Sequence, residues 1–446
     1  MARLGAFCFP GTGHINPMAA LARRLQQRGH KIVIFGIADT EARVRAAGID
    51  FQLIGAADYP LGTLPQLDRR LGELSGLATF RFTVERVKNT ARMVLRDGPE
   101  AVRNANLDAL LIDEADMGGT VAEHLSLPFV SIAFFPPLIR DDRIPPFCFG
   151  WAAGQDRLSR LRNLLGMRLL SHAAAPIYAI VNRQRRAWNL EPLTHATDAL
   201  SPLAQITQLP QALEFPTVVK PPNLHYTGPF VDNEQRPPIS FPWDRLNDRP
   251  LVYASLGTLQ NSSVQVFRTI AEACAGLNVQ LVLSLGGGLD PARLGTLPGD
   301  PIVVSYAPQL QLLKRAAAVI THAGLNTVLE SLAEGVPVVA VPLGNDQPGV
   351  AARVAAHSAG IVISRRKLNA RTLREAALSV LTDIQYRAAA VRLQSAMQLV
   401  NGLEAAADII ETVLNIRQLQ KQRVNSQPID RGFSGQSPIV NKGMLV

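Results

Sequence analysis

The chain has 446 residues, of which 47% are hydrophobic, and it carries a net charge of +9 at pH 7. This composition excludes fibrous and intrinsically disordered proteins, and the length exceeds what one hydrophobic core usually supports, which favours two domains. The three cysteines, Cys8, Cys148 and Cys274, are too few and too widely spaced for a disulfide framework or a cysteine-ligated zinc site, so a reducing cytoplasm is the expected location.

The excess of positive charge favours an anionic partner. The sequence has neither a recognisable nucleic-acid module nor an aromatic–basic stripe, so no nucleic acid is expected, and an anionic ligand or an anionic membrane surface fits at least as well. The apolar start at residues 4–10 is too short for a secretory signal. Because no run of 18 or more apolar residues exists, no membrane-spanning segment is predicted.

Short apolar runs of strand length alternate with helical patterns in the first third of the chain. The runs cover residues 4–10, 31–37, 50–54, 108–113 and 129–133, and the helical patterns include 18–28 and 121–125. Continuous apolar strands separated by amphipathic helices indicate a parallel sheet covered on both faces. For the first helix, Asn16 suits the N-cap, Pro17 suits the first turn and Gly29 follows the predicted end.

The alternation is interrupted at 59–104 and 136–222 by longer helical and Pro-rich segments, and it restarts with strands at 251–256, 279–285, 302–306, 318–321, 338–341 and 361–363. We therefore predict an α/β protein with two Rossmann-like parallel-sheet domains that face each other across a cleft. The predicted units are an N-terminal domain at 1–225, a Pro-rich linker at 226–249, a C-terminal domain at 250–400, a helix at 401–420 that could cross back to the N-terminal domain, and a flexible tail at 421–446.

Two groups of residues in the second domain suit a base and a sugar. An aromatic-led loop contains Tyr306, Ala307 and Gln309, and the Tyr306 ring suits stacking on a nucleotide base. At the mouth of a later strand, Asp346 and Gln347 form a carboxylate–amide pair that suits sugar hydroxyls.

Between these groups lies a strand-to-helix elbow. His322 and Gly324 end the strand, Asn326 and Thr327 open the helix, and Glu330 lies on the same helix face as Thr327. The N–H groups and the positive dipole end of a helix bind phosphate oxygens without a basic side chain, and a carboxylate one turn later can accept from ribose hydroxyls. The competing interpretation is a structural turn with Asn326 or Thr327 as the N-cap.

A second small-residue turn, with Ser255, Gly257 and Thr258, follows the first strand of the same domain and could reach the same diphosphate. Taken alone this motif is weak, because glycine turns after strands are common. The glycine run at 286–288 is more typical of a flexible loop than of a phosphate cradle.

The loop at 10–17 joins the first strand to the first helix and contains Gly13 and His14. It matches neither a P-loop nor a complete dinucleotide-binding fingerprint. A neutral histidine at the carboxyl end of a strand is a suitable general base, and Asp113, which ends another strand at the same sheet edge, could orient it. Glu114 and Asp116 are neighbours that could take the same part, and a purely structural histidine is the alternative.

Together these residues resemble the family 1 glycosyltransferases, which use a nucleotide diphosphate sugar and have the two-domain GT-B fold. The resemblance covers roughly residues 3–415 and implies an acceptor-binding N-terminal domain and a nucleotide-sugar-binding C-terminal domain. It implies that His14 is the general base and that Asp113 is its partner. It also implies that Tyr306 and the Ala307 backbone bind the uracil base of the nucleotide. The other residues implied in donor binding are Gly13, Ser255, Gly257, Thr258, Gln309, His322, Gly324, Asn326, Thr327, Glu330, Asp346 and Gln347.

The resemblance also implies inverting transfer of a hexose from a UDP-sugar to a hydroxyl group, with glucose favoured by Gln347 and with no cofactor. Neutral donors would stabilise the leaving diphosphate, so no metal is expected. The segment before His322 is two residues shorter than in the plant enzymes, and Leu325 replaces their usual Trp, as in the bacterial branch.

Three segments, at 110–113, 121–123 and 127–131, resemble the bacterial zeaxanthin glucosyltransferases, which implies a long apolar carotenoid acceptor. Macrolide and flavonoid glycosyltransferases share much of this pattern, and a sterol acceptor stays open too. A GlcNAc transferase acting on a lipid-linked precursor and a non-catalytic nucleotide-sugar binder are the rival hypotheses.

The segment at 157–186 carries seven arginines among apolar residues. Such a segment could lie on anionic lipid, which would place the protein at the inner face of the membrane. The alternative is a solvated helix face over the core.

Overall fold

The structure is a computed structural model that describes residues 1–74, 76–231, 239–259 and 261–425. The first domain is built on a seven-stranded sheet, all parallel, with strand order β3-β2-β1-β4-β5-β6-β7. Its strands are β1 (Arg3–Phe7), β2 (Lys31–Gly36), β3 (Asp50–Leu53), β4 (Ala109–Asp113), β5 (Phe129–Ala133), β6 (Gln205–Thr207) and β7 (Leu224–Tyr226). Its helices are α1 (Thr12–Gln27), α2 (Ala38–Ala46), α3 (Thr63–Glu73), α4 (Leu77–Ala105), α5 (Gly118–His124) and α6 (Arg157–Ala187).

The second domain is built on a six-stranded parallel sheet with strand order β10-β9-β8-β11-β12-β13. Its strands are β8 (Leu251–Ser255), β9 (Gln280–Ser284), β10 (Ile302–Val304), β11 (Ala316–Thr321), β12 (Val338–Ala340) and β13 (Gly360–Val362). Its helices are α7 (Val264–Cys274), α8 (Gln309–Leu313), α9 (Leu325–Ala333), α10 (Gln347–Ala356), α11 (Ala370–Thr382) and α12 (Ile384–Gln398), and the last helix of the described residues is α13 (Gly402–Asn425). The predicted α/β class with two parallel sheets is confirmed.

Four interior strands are buried along their whole length, as the continuous apolar runs predict. In β4, β5, β8 and β9 every residue is buried. Two strands of the first sheet were not predicted, β6 and β7, because each has only three residues and too few positions to show a period. They extend the sheet beyond β5 and bring residue 208 to its carboxyl edge.

The predicted start of the first helix was wrong. The helix begins at Thr12, with Gly11 as N-cap, so Asn16 and Pro17 lie inside it. The carbonyl of Gly11 accepts the N–H of His14 at 2.9 Å, which closes the first turn before Pro17 is reached. Pro17 lacks the N–H that would bond to the carbonyl of Gly13 four residues earlier, so that carbonyl is available to a partner outside the helix.

The helix predicted at 401–420 corresponds to α13, which packs against α1 of the first domain. Arg28 at the end of α1 pairs with Glu404 and, at 2.6 Å, with Asp408 of α13. Residues 226–231 and 239–249 of the predicted linker lie within the described chain, whereas residues 232–238 and the predicted tail from 426 onward lie outside it.

A buried ion pair joins the two domains. The Glu214 carboxylate, on the segment between β6 and β7, accepts from the Arg353 guanidinium of α10 at 2.8 Å, and both side chains are 1% exposed. The carbonyl of Glu214 also contacts His357 Nε2 at 2.9 Å. Leu209 and Leu213 of the same segment pack into the hydrophobic cluster of the second domain, so this piece of the predicted first domain is a structural part of the second.

Among the described helices, α6 alone is long and apolar enough to cross a membrane by length and composition, with a mean hydropathy of 1.4 over 18 residues. The sequence still has no uninterrupted run of 18 apolar residues, because Arg168 lies within this window, and one helix that meets the criterion is weak evidence for a membrane span. Within the fold, α6 packs against α4, and its buried Arg185 pairs with Glu123 at 2.8 Å. The helix is therefore part of the first domain.

The Glu214–Arg353 pair generates a stability prediction. We expect Arg353→Met to lower the free energy of unfolding by about 3–5 kcal/mol, because it leaves a buried carboxylate without its counter-charge. The double variant Glu214→Gln/Arg353→Met should recover most of this loss, since it removes both charges. Urea unfolding followed by circular dichroism measures both, and a double variant as unstable as the single one would contradict the prediction.

Candidate active site

A histidine and an aspartate meet at the carboxyl edge of the first sheet. His14 Nδ1 lies 2.7 Å from Asp113 Oδ2, and the Asp113 side chain is fully buried. The backbone N–H groups of Phe9 and Ala115 donate to the two carboxylate oxygens at 3.1 and 3.0 Å. A carboxylate only accepts hydrogen bonds, so the proton of the neutral imidazole lies on Nδ1, and Nε2 keeps its lone pair.

The environment of His14 makes it a stronger base. Burial alone lowers the pKa of His14, but the charge of Asp113 and the hydrogen bond to it act in the opposite direction, and Asp346 adds to them. The net result is that the pKa of His14 is raised above its usual value. Glu114 and Asp116 follow Asp113 in sequence, and it is Asp113 that the fold places against the imidazole.

The two domains touch beside this pair. The Asn326 side-chain N–H donates to the Gly13 carbonyl at 2.8 Å, and the Asn326 side-chain oxygen accepts from Gln208 Nε2 at 2.7 Å. Gln208, which follows the unpredicted strand β6, is a site residue that the sequence pattern did not indicate. Since Asn326 is the second residue of α9, this contact brings the start of α9 next to His14.

The elbow before α9 is built around the ring of His322. A Cβ atom on Gly257 would lie 2.6 Å from Cε1 of this ring, and one on Gly324 would lie 2.5 Å from its Nε2. Both positions therefore require glycine, and Gly257 also has a φ of +72°. Burial lowers the pKa of His322 to about 4, which a hydrogen bond with the Ser255 backbone only partly opposes, so the ring is neutral at pH 7.

Two predicted turns thus meet in space. Ser255 is buried at the end of β8, and Thr258 lies half-buried in the turn that follows. Thr327 is buried in the first turn of α9. The α9 start therefore faces the turn after β8, as the proposed diphosphate site requires.

The aromatic-led loop forms the next part of the cleft. The Tyr306 side chain is 52% exposed, and a Cβ atom on Gly287 would lie 2.0 Å from its hydroxyl oxygen, so the glycine run at 286–288 packs closely on this ring. Ala307 is buried, and its carbonyl accepts the N–H of Gln309 at 2.8 Å.

A hydrogen-bonded chain leads from this loop to Glu330. Gln309 Nε2 donates to Glu330 Oε2 at 2.5 Å, and the Tyr253 hydroxyl donates to Gln309 Oε1 at 2.9 Å. These bonds orient Glu330 and Gln309. Tyr253 was not indicated by the sequence pattern, because its ring lies within the apolar strand β8.

The last predicted pair lies on the second domain's side of the cleft. Burial raises the pKa of Asp346 to about 6, which the nearby charge of His14 partly opposes. Gln347 is buried, and its side-chain oxygen accepts the N–H groups of Leu343 and Gly344 at 2.7 and 3.0 Å. Gln347 therefore holds the loop that carries Asp346.

A large apolar cavity opens beside His14. Its volume is about 1590 Å³, and Asp346 lines it from the second domain. Sites for drug-sized molecules usually have volumes of about 300–1,000 Å³, so this cavity suits a larger or longer apolar molecule. Its apolar wall includes Phe9, Phe80, Val84, Phe135, Phe147, Leu170, Ile177 and Tyr178.

Glu114 is an unusual polar residue in this wall. It is 7% exposed, its Oε2 accepts the N–H of Leu138 at 3.2 Å, and its buried Oε1 has no hydrogen-bond partner among the described residues. Burial raises the pKa of Glu114 to about 8, the charge of Asp113 adds to the rise, and the Leu138 N–H opposes it. At pH 7 the carboxyl group is therefore largely neutral.

Metal-ligating side chains do not gather here. Within the ranges that the structure describes, no group of three or more His, Cys, Asp and Glu residues is placed to hold a metal ion. The three cysteines, all of them in those ranges, are free thiols.

Two facing parallel-sheet domains with these groups in the cleft define a GT-B glycosyltransferase. The calicheamicin glycosyltransferase CalG4 has this fold and superimposes with a TM-score of 0.71 at 23% identity, covering 93% of this chain and 98% of its own. Spinosyn rhamnosyltransferase SpnG superimposes with a TM-score of 0.68 at 18% identity and covers 92% of this chain and 99% of its own. The predicted GT-B fold is confirmed.

The family follows from sequence comparison. A family model described as "UDP-glucoronosyl and UDP-glucosyl transferase" matches residues 155–425. Zeaxanthin glucosyltransferase of Pantoea ananas is 30% identical over 93% of this chain and 96% of its own length. The enzyme of the same name from Pseudescherichia vulneris is 32% identical over 91% and 96%. The chain belongs to the UDP-glucuronosyl and UDP-glucosyl transferase family, as the sequence motifs predict.

The raised pKa of Glu114 generates a pH-dependent stability prediction. The unfolded chain releases this proton near pH 4.5 and the folded chain near pH 8, so stability falls as pH rises between these values. From pH 5 to pH 7 we expect the free energy of unfolding to fall by about 2 kcal/mol more in the wild type than in Glu114→Gln. Urea unfolding at both pH values measures the difference.

The matched control is Glu100→Gln, which makes the same change at an exposed position of α4. This control should show the pH dependence of the wild type. If Glu114→Gln also shows it, Glu114 is ionised in the folded protein and the prediction is wrong.

Proposed function

We propose that this enzyme is an inverting, metal-independent glucosyltransferase that moves glucose from UDP-glucose to a hydroxyl group of a long apolar acceptor, with a hydroxylated carotenoid such as zeaxanthin as the first candidate. One observation carries the proposal: an oriented basic histidine opens into an apolar cavity of about 1590 Å³ at the junction of the two domains. The zeaxanthin glucosyltransferases that match nearly the whole chain support the choice of acceptor.

In the proposed reaction, His14 Nε2 takes the proton of the acceptor hydroxyl while its oxygen attacks the anomeric carbon. The new carbon–oxygen bond forms on the face opposite the bond to the diphosphate, which breaks and releases UDP with inversion. Asp113 stabilises the imidazolium that forms, because its carboxylate already accepts from Nδ1 at 2.7 Å. Its charge also explains why a buried histidine is basic enough for this step.

The leaving diphosphate would lie at the start of α9, beside the turn of Ser255, Gly257 and Thr258. The Asn326 side chain is engaged with Gly13 and Gln208, so the backbone N–H groups of Asn326 and Thr327 are the better candidates for phosphate contacts. His322 and Gly324 complete this helix start, where neutral backbone N–H donors would stabilise the diphosphate without a metal.

The uracil base and the ribose of the donor would occupy the exposed side of the second domain. We place the uracil base on the Tyr306 ring against Ala307, and the ribose hydroxyls at Glu330, which Gln309 orients. The sugar would then reach Asp346, close to His14. Gln347 would fix the loop that carries Asp346, and through this loop it would contribute to the selection of glucose.

We also propose that the enzyme works in the cytoplasm at the inner face of the membrane. A long apolar acceptor partitions into lipid, whereas a charged nucleotide sugar stays in water. The two substrates therefore meet at a lipid–water boundary.

The general-base proposal predicts that His14→Ala lowers kcat/KM for transfer by about 10²- to 10⁴-fold, because it removes the imidazole that Asp113 orients toward the acceptor hydroxyl. The dissociation constant of UDP should stay within about threefold of the wild-type value, since UDP is assigned to the other domain. Initial rates with saturating donor and calorimetric titration with UDP measure the two quantities. Unchanged turnover would remove the general-base assignment.

The variant Asp113→Asn tests the role of Asp113 independently of that of His14. Because the Asp113 charge raises the pKa of His14, the rate should fall below that pKa in the wild type, as His14 becomes protonated. In Asp113→Asn this acidic limb should move to lower pH, with a lower maximal rate. A pH–rate profile whose acidic limb does not move would show that Asp113 does not set the basicity of His14.

The substrate proposal predicts transfer from UDP-glucose, with UDP-galactose and UDP-GlcNAc at least tenfold slower, and with hydroxylated carotenoids preferred over flavonoids, sterols and macrolides. The preference follows from the volume and the apolar wall of the cavity. Product formation by mass spectrometry against this panel measures it. Preference for a compact acceptor would redirect the assignment to another natural-product glucosyltransferase, and preference for UDP-GlcNAc with a lipid-linked precursor would contradict it.

A further inference from the structure

The outer face of α6 carries an exposed row of leucines. Leu158, Leu161, Leu165 and Leu169 are 78%, 53%, 54% and 61% exposed. Their spacing of three or four residues places them on one face of the helix. Only 17% of the most apolar window of α6 is buried. The four leucines therefore form an exposed apolar row of a kind that soluble proteins usually cover.

Positive charge surrounds this leucine row. Residues 157–187 contain seven arginines and no acidic residue, in a chain whose net charge is +9. Arg160 and Arg185 are paired with Asp142 and Glu123. Four exposed arginines form no ion pair with the described residues: Arg157, Arg168, Arg183 and Arg186.

The same helix forms one wall of the acceptor cavity. Met167, Leu170, Ala174 and Ile177 face the cavity from α6. Leu164 and Leu169 line the cavity and are also exposed, at 37% and 61%. The leucine row is therefore continuous with the cavity wall at its mouth.

We propose that the leucine row of α6 is the surface that docks on an anionic phospholipid bilayer, with the helix lying in the membrane plane and the cavity mouth turned toward the lipid. The leucines enter the boundary between headgroups and acyl chains, and the unpaired arginines contact lipid phosphates. The docking itself follows from the surface. The further step, in which the acceptor passes from the bilayer along α6 to His14, rests on the proposed function.

A bilayer fits this surface better than a second protein chain. The four unpaired arginines of α6 would bring like charges together in a symmetric dimer, whereas a lipid surface supplies both the apolar layer and the negative charge. The row is about 17 Å long at the rise of an α-helix, which suits shallow insertion along the surface.

Flotation with vesicles tests the docking without any enzymatic readout. The full-length protein should float with vesicles of 30 mol% phosphatidylglycerol in phosphatidylcholine, and more weakly with phosphatidylcholine alone. Leu161→Glu/Leu165→Glu should weaken binding at least tenfold, and Arg157→Gln/Arg183→Gln about 25-fold on anionic vesicles, at roughly fivefold per arginine. None of these four residues lines the acceptor cavity.

The matched control is Leu378→Glu/Leu399→Glu, which makes the same change at two exposed leucines of the second domain, 48% and 86% exposed. It should bind vesicles like the wild type. The proposal is overturned if the wild type stays in the soluble fraction, if the α6 variants float like the wild type, or if sedimentation velocity shows a dimer that Leu161→Glu/Leu165→Glu dissociates.

A second measurement separates this inference from the proposed function. Transfer to a short, water-soluble hydroxylated acceptor should be within about twofold of wild type in Leu161→Glu/Leu165→Glu, while transfer to a long apolar acceptor in vesicles should fall at least tenfold. Equal loss on both would mean that the substitutions damage the catalytic fold and would overturn the docking role. Normal flotation with no transfer to any acceptor would contradict the proposed function alone.

Discussion

The hydrogen bond from the Asn326 side chain to the Gly13 carbonyl is the contact on which the cleft depends. An uninterrupted α1 would use this carbonyl for the N–H of residue 17, but Pro17 has none. The fold therefore uses a local defect of one helix to join the two domains. Because Gly13 precedes His14 and Asn326 opens α9, this bond fixes the distance between the basic histidine and the helix start that faces it.

The buried Glu214–Arg353 pair complements this contact at a different depth. It joins the segment after β6 to α10, the helix that begins at Gln347. Both members of the pair are 1% exposed, so each charge is stabilised only when the other lies against it. The pair therefore favours one relative position of the two domains, whereas apolar surfaces could pack in several. Together with α13, which packs on α1, these contacts join the two domains at the cleft, at α10 and at the last helix.

Much of the donor side could be predicted from the sequence, and most of the acceptor side could not. A phosphate site needs a helix start, a close backbone approach and particular donors, so Gly324, Thr327 and Glu330 are recognisable by type and spacing. An apolar cavity wall accepts many residues of similar volume, so its members carry no such pattern. Long-range contacts are also invisible locally: nothing near Asn326 in the sequence indicates that its partners are Gly13 and Gln208, 313 and 118 residues away.

The electrostatic state of the cleft follows from burial as much as from charge pairs. Burial opposes ionisation of His14, His322, Glu114 and Asp346, and of these four only His14 has a counter-charge strong enough to reverse the effect. His322 stays neutral and Glu114 stays protonated near pH 7, so Asp113 is the main fixed charge that His14 meets at short range. A base can be strong in an apolar cavity only when its conjugate acid is stabilised there, and Asp113 provides that stabilisation without contact with the cavity. The apolar wall can then serve an apolar acceptor without weakening the base beside it.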